Sequence, residues 1–258
     1  MVFLATHSDP DCGDLHSAKG FSSTPNDVRT LYSLLASVHR SLSLQLFNAL
    51  FLSSLTSYLS ARNAVFVLLA CGATLAHKPS FDGILTLAMR FASFFPLCCG
   101  VLMLSSGVFK ATIGFSASYF QPPRASCFLA KFAEKYFFRH YSLLVAVKDA
   151  LGEEAGLGAH GDVILVTRRS STDPWVELRL VWSHNVVRPY GTDVSLQCVK
   201  CHLLHPWSPP RVTKRPETVT IACKFCHHAT TYTKPLNFER DGKMGRVGGG
   251  EWFFTRRA

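Results

Sequence analysis

Acidic residues are scarce in this sequence, and long stretches carry no charge at all. Of 258 residues, 17 are Asp or Glu against 27 Lys or Arg, a formal net charge of +10. The shortage is uneven: residues 1–158 hold 9 acids against 12 bases, and residues 159–258 hold 8 against 15. The basic excess therefore lies in the last hundred residues, which leaves nucleic acid or an acidic protein as candidate partners there. The N-terminus, Met-Val-Phe-Leu-Ala-Thr-His-Ser-Asp-Pro, lacks a basic n-region and meets an acid by Asp9, which excludes a recognisable secretory leader. Nine cysteines without such a leader read as thiols of a reducing, intracellular compartment rather than as a disulfide framework. No internal repeat and no long low-complexity segment is visible. A chain of this length buries a sizeable core and divides into two parts.

Charge is missing from residues 41–61 and 91–109, both near the roughly 20 residues of a membrane span. At helical spacing Leu46, Phe47, Leu50, Phe51, Leu55 and Tyr58 share one face of the first, opposite Gln45, Asn48, Ser53, Thr56 and Ser60. That is an amphipathic helix against a core. Pro96, Gly100 and Gly107 break the second into a helix ending near Phe95 and a strand from Val101 to Leu104. A membrane-anchored zinc protein stays open as an alternative to an α/β fold.

The periodicity predicts strands Val2 to Ala5 and Val65 to Ala70, a helical stretch from Asp27 to Ser60 and a helix from Ser80 to Phe95. Further on it predicts helices from Ala125 to His140 and Ser142 to Leu151, then a glycine-bearing break at 152–158. Strands alternating with helices predict a parallel sheet flanked by helices. Beyond the break the pattern turns to β, with strands at Val163 to Val166 and Trp175 to Trp182 and a glycine-rich, mobile tail over 242–250. The expected domains are an α/β domain over 1–158, its start missing from the chain, and a smaller β-rich domain over 159–258.

The most specific signal is Cys198-Val199-Lys200-Cys201, then 21 residues, then Cys223-Lys224-Phe225-Cys226. Each C-x2-C turn offers two thiolates from one knuckle, and two knuckles complete the tetrahedral S4 shell of one Zn2+. Thr218 to Ile221 leads into the second knuckle as a strand, so the unit resembles a zinc ribbon. Four protein ligands leave no open coordination position, and the zinc is expected to be structural. His202, His205, His227 and His228 crowd the knuckles as surface or neighbouring groups.

The other signal joins two strand ends. His7 follows the first strand and Cys71 the strand Val65-Phe66-Val67-Leu68-Leu69-Ala70, in the order His then Cys, 64 residues apart. A thiolate beside an imidazole is the equipment of a cysteine nucleophile. Ala70-Cys71-Gly72 partly meets a caspase signature, and residues 65–151 resemble the C-terminal half of the CHAT domains, caspase-like relatives of the separase clan. The resemblance rests on the strand ending in Ala-Cys-Gly, the helix from Ile84 to Phe95, the strand from Gly100 to Leu104 and the segment Ala-Val-Lys-Asp-Ala-Leu. It implies a cysteine peptidase acting on peptide or protein, with Cys71 as nucleophile, His7 as general base and backbone N–H groups near Cys71 as an oxyanion hole. Ser8 stands where that family usually has Gly, and His160-Gly161 carries the dipeptide in the wrong order. A non-catalytic zinc-binding module engaging nucleic acid or a protein partner is the other reading.

Overall fold

The computed structural model describes residues 1–5, 64–69, 109–117, 121–168, 173–214, 217–240 and 246–257. His7, Cys71, the helices expected between Asp27 and Ser60 and over 80–95, and the strand expected at 101–104 lie outside those residues. The chain forms two compact units, one of Met1–Pro122, Val163–Leu178 and Arg257–Ala258, the other of Pro123–Asp162 and Arg179–Arg256. Among the described residues no helix is long and apolar enough to cross a membrane.

The first unit is built on β1 (Val2–Ala5), β2 (Val65–Leu69), β3 (Ala111–Phe115) and β4 (Val163–Thr167), hydrogen-bonded in that order. β1 pairs parallel with β2 and β2 parallel with β3, as alternating strands and helices predict. β4 instead runs antiparallel to β3, with Ile113 opposite Leu165, so the sheet is mixed rather than wholly parallel. Every residue of β3 is buried, as are Val65, Val67 and Leu68 of β2 and Val163 to Val166 of β4. Strands covered on both faces read as continuous apolar runs rather than alternations. β3 escapes that signal because Thr112 and Gly114 interrupt its run.

The second unit opens on α1 (Pro122–Ala133), whose two prolines occupy first-turn positions where a missing N–H costs nothing. Ala125, Phe128, Leu129 and Phe132 form its buried stripe. The helix expected to run on to His140 widens into a π turn at Glu134–Phe138, closed by the Arg139 N–H donating to the Glu134 carbonyl at 3.0 Å. α2 (Leu143–Leu151) follows, burying Leu143, Ala146, Val147, Ala150 and Leu151.

The expected break at 152–158 is in part a helix, α3 (Ala155–His160). Its glycine serves close approach. A Cβ on Gly158 would stand 2.3 Å from Trp182 Cβ and 2.9 Å from the Trp252 ring. Trp182 is the penultimate residue of β5 (Val176–Ser183), whose neighbour β11 (Gly250–Arg257) begins at a second such contact: a Cβ on Gly250 would lie 2.3 Å from Trp182 Cε2. The glycine-rich tail is therefore held where it is described. Trp252 and Phe253 are buried in β11, which also pairs with β9 (Glu239–Arg240) and β10 (Arg246–Val247).

Beneath these aromatics Asp162, 1 % exposed, meets Arg188 at 2.8 Å and Arg179 at 2.6 Å, and Arg188 Nη1 donates to the Gly158 carbonyl at 2.8 Å. Removing Arg188 leaves Asp162 with the half-exposed Arg179 alone and the Gly158 carbonyl without its donor. Arg188→Met is expected to cost about 3 kcal/mol, the lower end for a broken buried pair, read from the denaturant midpoint of the metal-loaded chain. Arg179→Met, at a side chain 45 % exposed, is expected to cost clearly less.

Candidate metal centre

A separate, small antiparallel sheet consists of β6 (Arg211–Lys214), β7 (Glu217–Ala222) and β8 (Ala229–Thr233). Val219 and Ile221 alternate inward from β7, while all of β6 is exposed. β7 covers the strand expected ahead of the second knuckle and delivers the chain to Cys223. A bridge from Cys223 to Trp207 and the Lys224 N–H donating to the Pro206 carbonyl at 2.7 Å tie that knuckle to the segment leaving the first.

The two knuckles repeat one another in backbone detail. The N–H of Cys198 donates to the Leu203 carbonyl at 3.0 Å, and that of Cys223 to the His228 carbonyl at 2.8 Å. The N–H of His202 returns to the Cys198 carbonyl at 2.8 Å, and that of His227 to the Cys223 carbonyl at 3.1 Å. The residue after each second cysteine must turn left-handed, and His202 and His227 both have φ of 56°. Histidine visits that region more readily than most side chains, though glycine is the usual signal. The residue pattern alone did not mark these two positions.

This backbone brings four sulfurs together. Sγ of Cys198 lies 3.6 Å from that of Cys226, Sγ of Cys201 lies 3.6 Å from that of Cys223, and all four atoms fall within 4.8 Å of one another. A disulfide would bring a pair to about 2.05 Å, and all four cysteines are free. A tetrahedral ion with metal–sulfur bonds of about 2.3 Å separates its ligands by about 3.8 Å, so the donor set and its spacing fit one such ion. Cys198 and Cys223 are buried, Cys201 and Cys226 half-buried. Among the described residues the four thiols are the one group able to hold a metal. The neighbouring histidines are not part of it: His202, His205 and His227 are exposed and His228 is half-buried.

Electrostatics argue for a cation as well. The amides of Cys201 and Lys200 pull the Cys198 thiol down to about 6 against the effect of burial. Burial opposes ionisation of Cys223, yet the amides of Cys226 and Phe225 hold its thiol below the ordinary value. Cys201 is pushed up to about 12: the Leu203 amide favours its thiolate, but burial and the sulfurs of Cys223, Cys198 and Cys226 outweigh it. The shell accepts some thiolates and resists the last, the imbalance that a divalent ion removes.

His7 and Cys71 lie outside the described residues, but the strands before them do not. β1 and β2 are parallel neighbours with Ala5 opposite Leu69. No protein-family model matches the chain, and no curated protein or solved structure matches it.

The purified chain is expected to carry one metal ion, counted by native mass spectrometry. Replacement by Co2+ should give the ligand-field bands of a tetrahedral tetrathiolate. Cys223→Ser should weaken binding by roughly a hundredfold or more, because one of four bonds sharing about 10–16 kcal/mol is lost. Two ions per chain, or a cobalt spectrum without four sulfurs, would refute the assignment.

Proposed function

We propose that this protein is a caspase-like cysteine peptidase of the CHAT type, with Cys71 as nucleophile, His7 as its base and one structural Zn2+ stapling its C-terminal module. Zinc is the ion that a buried tetrahedral S4 set selects, and four protein ligands exclude water from the metal. Its part is to hold the fold while chemistry proceeds elsewhere.

The observation that carries the peptidase reading is the register of β1 and β2. His7 follows Ala5 by two residues and Cys71 follows Leu69 by two, and Ala5 and Leu69 are partners in a parallel pair. Neighbouring strands stand about 4.8 Å apart, and two residues extend the chain by at most about 7 Å. β1 and β2 thus run out at the same carboxyl edge, the edge where open α/β sheets bind ligands. That register supports a thiol–imidazole pair drawn from two strands. In the reaction it implies, His7 takes the Cys71 proton as sulfur attacks a peptide carbonyl. The proton then passes to the leaving amine as the C–N bond breaks, and water hydrolyses the thioester.

The test is the rate of iodoacetamide labelling at pH 6, read at each cysteine by mass spectrometry in the metal-loaded chain. An ordinary thiol with a pKa of roughly 8.5 is almost wholly protonated there. Cys71 should label at least about tenfold faster than the exposed Cys127, and His7→Ala should abolish the difference. Equal rates at Cys71 and Cys127, or indifference to His7, would overturn the reading.

A further inference from the structure

The knuckles expose more apolar surface than a staple needs. Val199 is 66 % exposed, Leu204 64 % and Phe225 67 %, and Leu196 and Leu203 stand open beside them. Single exposed hydrophobic side chains are ordinary, but Val199 and Phe225 inside the two C-x2-C turns, with Leu196, Leu203 and Leu204 flanking the first, form a patch of the kind that marks an interaction site. The turns are neighbours, because their sulfurs converge within 4.8 Å and the Lys224 N–H reaches the Pro206 carbonyl.

The charge around this patch has one sign. Lys200 and Lys224 sit inside the C-x2-C turns, next to Val199 and Phe225, and both are exposed. Residues 194–238 contain six Lys or Arg and one acid, Glu217, which is held by Lys234 at 2.6 Å. The two negative charges of four thiolates around a divalent ion still leave the module at about +3.

A basic, apolar surface fits a partner that is acidic and apolar. Of the five exposed apolar side chains only Phe225 offers a ring. Nucleic-acid surfaces rely on successive aromatic platforms under the bases, and aliphatic side chains supply no such stack. Leucine and valine beside lysine instead suit an amphipathic peptide, which buries its own apolar side chains and sets its acids against the rim. We propose that the two metal knuckles form a docking surface for an acidic, leucine-rich amphipathic segment of a partner protein. This inference is independent of the peptidase reading, since it concerns neither His7 nor Cys71.

The experiment is selection of a displayed library of random 16-residue peptides on the full, metal-loaded chain, followed by fluorescence anisotropy with the synthesised winners. Enrichment of Asp and Glu together with Leu, Ile or Phe is expected. Val199→Ser with Phe225→Ser should weaken these peptides at least tenfold, and Lys200→Glu with Lys224→Glu several-fold, while native mass spectrometry still finds one metal per chain. Should a knuckle variant lose its metal, Leu204→Ser, outside both C-x2-C turns, carries the same expectation. Selection of neutral or basic peptides, no enrichment over the Val199→Ser, Phe225→Ser chain, or tighter binding of random 20-nucleotide single-stranded DNA or RNA than of any selected peptide would overturn the proposal.

Discussion

Four thiols within 4.8 Å of one another are the constraint on which the C-terminal module rests. Among the described residues of 196–234 the buried side chains are Pro206, Val219, Ile221 and the ligands Cys198 and Cys223. That is too little apolar surface to order a segment of this length, since small units lack a sufficient core of their own. The exposed strand β6 and the half-open β8 add hydrogen bonds, Thr220 to Thr231 at 2.9 Å among them, but little burial. A metal ion on the four sulfurs would supply what hydrophobic burial does not, and the backbone is shaped for it: paired N–H contacts within each knuckle aim two sulfurs at one point.

A different economy governs the rest of the second unit. There the packing is dense enough that glycine is needed as an absence of volume, with Gly158 and Gly250 both pressed on Trp182. Trp182 in turn stacks on His184, with ring centroids 5.5 Å apart. Arg188, buried beside Asp162 and bonded to the Gly158 carbonyl, links this aromatic cluster to the end of α3. Its planar guanidinium spreads five N–H donors over a fork, a reach that the single nitrogen of a lysine does not have. The four-thiol module and the aromatic cluster illustrate two routes to a rigid frame.

In the sheet of the first unit, strand direction matters as much as packing. Parallel strands end at a common edge, so residues far apart in sequence leave it side by side. Ala5 and Leu69 are such a pair. An antiparallel arrangement of the same two strands would send the chain out at opposite ends. β4, antiparallel to β3, lies on the other side of β3 from that pair and does not alter the relation.

Much of this was written locally. The C-x2-C pairs declared the metal knuckles because the ligand spacing is a property of a few bonded residues. The runs at Val65–Leu69 and Val163–Thr167 declared strands because buried strands need continuous apolar sequence. The spacing of Phe128, Leu129 and Phe132 likewise declared a helix, while Tyr136 and Phe137, on the same face by periodicity, stay half-buried in the π turn. What sequence did not carry was everything fixed by distant partners. The direction of β4, the identity of β3 despite Thr112 and Gly114, and the capture of a glycine-rich tail into β11 depend on which strand or ring lies alongside. Gly158 and Gly250 look like flexibility in a string of letters and prove to be close contacts, because only the tertiary structure brings Trp182 against them. The left-handed turns at His202 and His227 were hidden for the same reason: the requirement comes from the shape that the knuckle must take around four sulfurs, not from the preference of the residue that adopts it.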